Sequence, residues 1–483
     1  MQKKHIYTVA ASLFILAVYF SQGFHHYDEH HQIMEFAGLK LGFTEKANLP
    51  WEYAAQMRPA IQPMMVFVAH KIFGLINIDS PFTISFLLRL FTAALSFLSI
   101  HLLIKAFIDT IQGDKLKLSF ILLSFFLWFS VYNSVRFSSE NLAGRVFVIA
   151  FALFFIWKKL SKKQYFAIGL LLGLSFLFRY QNAFLMVGFL AWIFFINKSK
   201  FSEMLLIAAG IVMMFGVGIM IDHWFYNEWV LTSWKYFEQN ILLNKAAEFG
   251  VEPWYYYFAQ IISAGIPPFS LLFVIPLILI LIFKRKDALV WTVVPFVAAH
   301  MYISHKELRF LFPLIGFLPL IIVSSGEIVN AKWKGFLQSK FLKVSAVLFW
   351  IYNGLFLAIS ALKPADAQVP LYHKIYNDYP QATKLYWIEG NPYSRALDVY
   401  YYKRKNLRIE KINALSEMKL SADTTVLFAS NTKEEQAILG TNNKLIYASF
   451  PEWIKIFNVA GWVDRTNFRK VYEIHHVPNA EHQ

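Results

Sequence analysis

The chain has 483 residues, of which 57% are hydrophobic and only 16% charged, against roughly 45–50% and about 25% in soluble domains. With 49 phenylalanines there is more apolar surface than a soluble fold of this length covers, so an ordinary soluble enzyme is excluded. The net charge of +15 sits mainly in short segments between apolar runs, as in cytoplasmic loops of membrane proteins, so no nucleic-acid partner is expected; the absence of cysteine excludes disulfides and thiolate metal clusters.

In chain order, MQKKHIYTVAASLFILAVYF has the basic start and apolar run of a signal peptide, but further apolar runs follow it, and it reads as a first membrane helix. Eleven runs approach the roughly 20 residues that a span needs: 6–22, 81–107, 118–133, 143–157, 165–179, 183–196, 203–221, 257–283, 288–303, 310–325 and 344–362. If the chain alternates sides from a cytoplasmic N-terminus, the basic clusters between spans fall on one face. Lys115 and Lys117, Lys158 to Lys163, Lys198 and Lys200, Lys284 to Lys286, and Lys332 to Lys343 are all cytoplasmic in that arrangement, as the positive-inside rule requires. The opposite face receives 23–80, 134–142, 222–256, 304–309 and a tail from about 363. The tail has soluble composition and strand-like runs at Thr425–Phe428 and Lys444–Tyr447, which predict a small α/β domain outside the membrane. The expected organisation is a membrane domain over 1–362 and an extracytoplasmic domain over 363–483.

The polar residues of chemical interest lie on that outer face. HHYDEHHQIMEFA places Asp28 and Glu29 directly after the first span, with His25, His26, His30, His31, Gln32 and Glu35 around them. Partly desolvated carboxylates at a membrane surface serve well as general bases; a solvated boundary loop and a histidine metal site are the other readings. The metal reading is the weakest, since adjacent histidines rarely point the same way. LPWEYAAQMRPAIQP adds Glu52 and Arg58, the latter between prolines that restrict the backbone. The segment 222–257 combines many aromatic rings with Asp222, Tyr226, Glu238, Asn240, Glu252 and Trp254. Rings beside polar groups suit a sugar, although an interfacial aromatic belt has the same composition. SHKELRFLFP gathers His305, Lys306, Glu307 and Arg309 at the end of two apolar runs, and Arg179 and Arg89 are further cations at or within spans. Charges there either serve a function or pair internally.

Outward carboxylates, outward cations and aromatic rings at a lipid boundary fit transfer from a lipid phosphate to a hydroxyl. The leaving phosphate is already a stable anion, so a base on the acceptor and cations on the phosphate suffice. At this point the motifs resemble glycosyltransferase family 22, the dolichyl-phosphate-mannose-dependent α-mannosyltransferases. Its H-P-D-E-x-x-Q motif is similar to His26-Tyr27-Asp28-Glu29-His30-His31-Gln32, with Glu35 following. Its T-W-E-W…R-S…P pattern is similar to Pro50-Trp51-Glu52-Tyr53 with Arg58 and Pro59, and H-K-E-x-R-F-x-x-P is present whole from His305 to Pro313. The D…Y-G…N-F…H-P-W-x-W-Y region resembles Asp222, Tyr226, Asn240 and Glu252-Pro253-Trp254-Tyr255-Tyr256-Tyr257.

The resemblance implies a GT-C fold, a helical multispan bundle, and inverting transfer of a sugar, most often mannose, from a polyprenyl- or dolichyl-phosphate donor to a glycan or glycolipid acceptor. It implies Asp28 as general base and Glu29 as its partner or alternative. His305, Lys306 and Arg309 would contact the lipid phosphate or shape its pocket, with Arg58 and Glu52 helping to close the site, and no metal or other cofactor would be needed. Departures are Tyr27 for Pro, Tyr226-Asn227 for Tyr-Gly, and Glu252 for His. The resemblance places the chain in a bacterial inner membrane or the endoplasmic reticulum membrane, acting on its non-cytoplasmic side. The competing classes are another GT-C transfer, such as polymer ligation or lipid A modification, and a lipid-linked sugar flippase. The flippase is disfavoured, because the spans are poor in charge and no internal repeat is visible.

Overall fold

The computed structural model describes residues 3–420, 425–440, 442–449 and 469–477. The chain divides into two compact units, one of residues 1–21, 51–66 and 85–363, the other of 22–50, 67–84 and 364–483.

The first unit is helical, and helix occupies every one of the expected apolar runs. Among the described residues, five helices are by themselves long and apolar enough to cross a membrane, and a pair bent by 48° makes a sixth. Others, such as Lys4–Phe20 and Ala288–Tyr302, are apolar but shorter. The protein is a multi-pass membrane protein.

Not every expected span is a simple helix. The run 118–133 breaks at Leu127, whose backbone is extended, between helices Asp114–Phe126 and Trp128–Ser134. A break in an apolar surrounding leaves backbone groups that water cannot satisfy. Buried Asn353 supplies both partners: its Oδ1 accepts from the Trp128 N–H (3.1 Å) and its Nδ2 donates to the Phe126 carbonyl (2.7 Å). The run 257–283 splits into Tyr256–Ala264 and Leu271–Phe283, because Pro267 and Pro268 lack N–H groups and disfavour helical backbone before them. The run 310–325 begins as a 3-10 stretch, Leu308–Phe317, containing Pro313, and becomes α-helical from Leu318 to Lys332.

Glycines set the closest helix contacts. Gly169 and Gly173, four residues apart on helix Lys162–Phe178, lie against Ile207, Gly210, Ile211 and Met214 of helix Phe201–Tyr226. A Cβ on Gly169 would strike the Ile207 carbonyl, and one on Gly210 the Phe166 carbonyl. With lipid around it a helix gains little from hydrophobicity alone, so such small-residue seams carry the association. Gly144 plays the same part elsewhere: a Cβ there would lie 2.7 Å from the Pro313 Cα, so helix Ser139–Ile156 packs directly on the 3-10 stretch. Arg89, inside the span Pro81–Phe107, is paired internally: its Nε donates to the Val18 carbonyl (3.1 Å) at the end of helix Lys3–Phe20.

The second unit contains the expected sheet domain. Strands β1 (Ala382–Trp387), β2 (Arg408–Lys411), β3 (Thr425–Ser430), β4 (Lys444–Ala448) and β5 (Lys470–Glu473) form one sheet in the order β2-β1-β3-β5-β4. β1 pairs in parallel with β2 and β3, while β5 runs antiparallel to β3 and β4. β3 is central and almost wholly buried, as its unbroken Val-Leu-Phe-Ala run requires. The tail does not build this unit alone. Residues 22–50 fold into it as consecutive helical turns from Tyr27 to Leu41, although the sequence reading kept them with the membrane domain. Rings from three chain segments stack in a column: Phe24 on His30 (4.8 Å), His30 on Tyr402 (5.4 Å), Tyr402 on Phe82 (4.8 Å) and Phe82 on His373 (4.6 Å).

Substituting Gly169 with valine is expected to cost on the order of 2 kcal/mol or more through overpacking. A lowered melting temperature in size-exclusion or fluorescence assays, beside an unaffected Gly354→Val with open space around its position, checks it.

Candidate functional site

In the helical unit, three helix ends converge on one carboxylate. Glu140 opens helix Ser139–Ile156, which Ser138 caps by accepting from the Asn141 N–H. Arg179 follows the end of helix Lys162–Phe178, and Arg309 stands in the first turn of Leu308–Phe317. Glu140 Oε1 accepts from Arg179 Nη1 (2.8 Å) and from Arg309 Nη1 (3.4 Å). The other edge of Arg309 makes a two-pronged contact with Glu307, Nε to Oε2 (2.6 Å) and Nη2 to Oε1 (2.9 Å). Such planar pairs are the strong form of charge-assisted hydrogen bonding. His305 adds a contact between Nε2 and Glu307 Oε1 (3.1 Å), with Nδ1 facing the Gly250 carbonyl (3.1 Å).

A second group adjoins it through Tyr180, the neighbour of Arg179. Tyr180 shares a hydrogen bond with Thr232, whose hydroxyl donates to Asp222 Oδ2. Asp222 Oδ1 accepts from the Ala60 N–H (2.8 Å), and the Tyr226 hydroxyl donates to the Arg58 carbonyl (2.9 Å). The backbone of Arg58-Pro59-Ala60 is therefore held from two sides. The Arg58 side chain turns to Glu52 (3.4 Å) and lies over the Tyr236 ring (5.6 Å). Asn240 donates to the Tyr236 carbonyl (2.9 Å).

In the sheet-containing unit, Asp28 and Glu29 sit at the start of the helical turns after Phe24. The Asp28 N–H donates to His26 Nδ1 (3.3 Å), and the same nitrogen lies 3.7 Å from Asp28 Oδ1. Glu29 Oε2 accepts from the His25 N–H (2.7 Å). Both carboxylates and Gln32 are half-buried. Glu35 differs, being fully enclosed. Its Oε1 receives His30 Nε2 (2.7 Å) and the N–H groups of Tyr400 (2.8 Å) and Tyr401 (3.0 Å), and its Oε2 receives the Thr44 hydroxyl. Burial alone would raise the Glu35 carboxyl, but the hydrogen bond and charge of His30, with Thr44 and Tyr401, outweigh it and hold the group below the usual carboxylate range. Tyr401 is tied again through its hydroxyl to His70 Nε2 (2.7 Å).

The sequence-predicted residues thus fall into distinct settings. Glu52, Arg58, Asp222, Tyr226, Arg179, Glu307, Arg309 and His305 form one polar chain of contacts. Glu35, expected among the substrate contacts, is instead an anchor with both oxygens occupied. Lys306, expected to contact the phosphate or shape its pocket, is buried with its ammonium on the carbonyls of Glu252 (2.8 Å), Ile303 (2.6 Å) and Ser304 (3.4 Å). Three acceptors match the three donors of an ammonium, so Lys306 fastens the loop. Trp254, expected among the sugar contacts, is largely exposed. Sequence reasoning missed Glu140, Tyr180 and Thr232. Glu140 could have been found, as the lone acid in RFSSENLAGR ahead of an apolar run; the two hydroxyls carry no signal in a single sequence.

The nearest approach to a chelating set among the described residues is His30, His31 and Glu35, with ligand atoms within 4.8 Å of one another. The adjacent histidine rings, 5.2 Å apart, come closer to a shared position than their sequence predicts. His30 Nε2 and Glu35 Oε1 already bond to each other, however, and the same oxygen takes two amides. Glu35 Oε1 thus already has three hydrogen-bonding neighbours.

The model of the Alg9-like mannosyltransferase family matches residues 5–384. The chain belongs to this family. It is 26% identical to GPI mannosyltransferase 3 of Candida albicans over 267 residues, 55% of this chain and 52% of that one. It is 25% identical to human GPI alpha-1,2-mannosyltransferase 3 over 319 residues, 64% of this chain and 54% of that one. The chain thus spans about half the length of the curated relatives it matches. Among solved structures it is similar to ArnT from Cupriavidus metallidurans bound to undecaprenyl phosphate, with a TM-score of 0.53 and 11% identity over 98% of both chains. That likeness shows the fold, the GT-C arrangement that the motifs imply for an Alg9-like chain.

Two outcomes are expected for the anchored loop. Glu35→Ala strands the Tyr400 and Tyr401 amides, each worth about 1–3 kcal/mol when buried without a partner, so thermal melting should fall markedly. His70 is held down at about 4, chiefly by burial and slightly by Lys71, with Asp79 acting the other way. The unfolded chain therefore takes up a proton below about 6.5 that the folded one refuses until about 4. Stability should fall across that window as the pH drops, by roughly 3 kcal/mol at most. Melting curves between pH 7 and 4 for wild type and His70→Gln check this, the variant losing less.

Proposed function

We propose that the protein is an inverting mannosyltransferase that moves mannose from a polyprenyl-phosphate donor to a glycan or glycolipid acceptor on the non-cytoplasmic face of its membrane. The observation that carries the reading is the family match over residues 5–384 together with the whole His305–Pro313 motif, whose charged side chains lie with Arg179 at one set of helix ends. The relatives' names supply mannose and a glycolipid of the GPI type. The distribution of lysines supplies the orientation, in a bacterial inner membrane or the endoplasmic reticulum membrane.

In this reading the acceptor hydroxyl loses its proton to Asp28 as its oxygen bonds to the sugar's anomeric carbon. The bond from that carbon to the phosphate breaks, and the electron pair leaves on polyprenyl phosphate. Glu29 is the partner or alternative base, and His26 and Gln32 shape that loop. The guanidiniums of Arg179, Arg309 and Arg58 meet developing negative charge, with Glu52, Asp222, Tyr226 and Asn240 ordering the segment around Arg58. No metal takes part, since a phosphate leaving group needs only fixed cations.

The test is transfer of radiolabelled mannose from polyprenyl-phosphate-mannose into a lipid acceptor extract in proteoliposomes. Wild type is expected to transfer label and Asp28→Asn to be slowed at least about a hundredfold, as loss of a general base predicts. Equal rates for both would remove Asp28 from the role and make Glu29→Gln the next variant. A wild type that binds donor and transfers nothing would overturn the choice of sugar or acceptor.

A further inference from the structure

We propose that Glu140 is the resident anion of the donor-phosphate site, holding Arg179 and Arg309 in place when the lipid is absent and yielding its position when the phosphate arrives. This rests on the reading above and deepens it.

Three observations carry it. The first is how the cations are used: the Lys306 ammonium is filled by three backbone carbonyls, whereas Arg179 and Arg309 both point at a single oxygen, Glu140 Oε1. Two guanidiniums sharing one anionic oxygen form the receptor that a phosphate oxygen requires. The second is that both guanidiniums lie near the Phe310 ring, at 5.2 and 5.3 Å from its centroid. Ring contact orients them independently of the anion between them. The third is charge. Arg179 and Arg309 meet the Glu140 and Glu307 carboxylates, with the Glu140 and Arg179 side chains each only 6% exposed. A phosphodiester brings one more negative charge, and two anions on one pair of guanidiniums in so dry a setting cost several kcal/mol. In the exchange the phosphate takes the place of the Glu140 carboxylate between the arginines, and the displaced carboxylate takes up a proton from solvent. Glu307, more exposed at 27%, keeps the outer edge of Arg309 in either state.

Glu140 is therefore a positioning residue whose charge sets donor affinity and drives off the polyprenyl phosphate left after transfer. Glu140→Gln keeps an oxygen acceptor between the arginines but removes the competing charge. It should bind undecaprenyl phosphate at least about tenfold more tightly, with a lowered KM for the donor and a lowered kcat as product release slows. Glu140→Asp keeps the charge and should show no tightening.

The experiment measures undecaprenyl phosphate binding to the full chain in lipid nanodiscs, beside donor KM and kcat. Tighter binding by Glu140→Gln alone supports the proposal. Equal or weaker binding by a Glu140→Gln protein that melts like wild type overturns it, while the mannosyltransferase reading stands if wild type binds the lipid and transfers sugar. Failure of every form to bind the lipid overturns both. Should Glu140→Gln not fold, Arg179→Gln decides: removing one guanidinium is expected to weaken binding at least about tenfold, and unchanged affinity overturns the proposal.

Discussion

A polar group that water cannot reach must be answered by another group of the protein, and most of what is distinctive here follows from that rule. The chain places carboxylates, guanidiniums and interrupted backbone inside apolar surroundings, where each unanswered group would cost a sizeable share of the net stability of a fold. Asn353 answers the broken helix at Leu127 with one donor and one acceptor. Val18 gives a helix-end carbonyl to Arg89, and Ser21 gives one to Arg136 (2.6 Å). These are local solutions, each made by a residue distant in sequence, and together they oblige the helices to meet where they do.

Two glutamates carry the rule furthest. Glu35 gathers an imidazole, a hydroxyl and two amides from segments hundreds of residues apart, so the early loop and the tail fold as one unit around a single buried charge. Glu140 gathers two guanidiniums from the ends of other helices. The two carboxylates differ in what surrounds them. Glu35 is held by neutral dipoles and one histidine, a setting that leaves nothing over for a ligand. Glu140 is held by two permanent cations, and cations held by an anion can exchange it for another.

Helix ends are where this chemistry can occur. In a helix interior the backbone satisfies itself, and side chains face lipid or neighbouring helices. At the ends the chain turns, polar groups are needed in any case, and several ends can be brought together if the helices approach closely. Gly144 against Pro313 permits such an approach beside Glu140 and Arg309, and the glycine seam with helix Phe201–Tyr226 fixes the helix that presents Arg179. Packing and charge placement are thus one design: the small residues decide which charges can touch.

The residue pattern was a good guide wherever the property is local. Apolar runs located the helices of the membrane unit, because a helix in lipid satisfies its own backbone and needs only length and hydrophobicity. The His305–Arg309 cluster announced itself for the opposite reason, since charge beside apolar runs is costly and conspicuous. The sequence alone therefore determined a polytopic helical membrane protein, a sheet-bearing tail and a family. What only the tertiary structure decided is which charges are free to act. Lys306 and Glu35 look like ligands for a substrate in the sequence, yet three carbonyls fill one, and two amides, a hydroxyl and an imidazole fill the other. Backbone carbonyls and amides are the same at every position, so no residue pattern marks the ones that fold brings to a buried charge. The pairing of Glu140 with Arg179 and Arg309 depends likewise on where three helix ends come to rest, a matter of packing that composition does not encode.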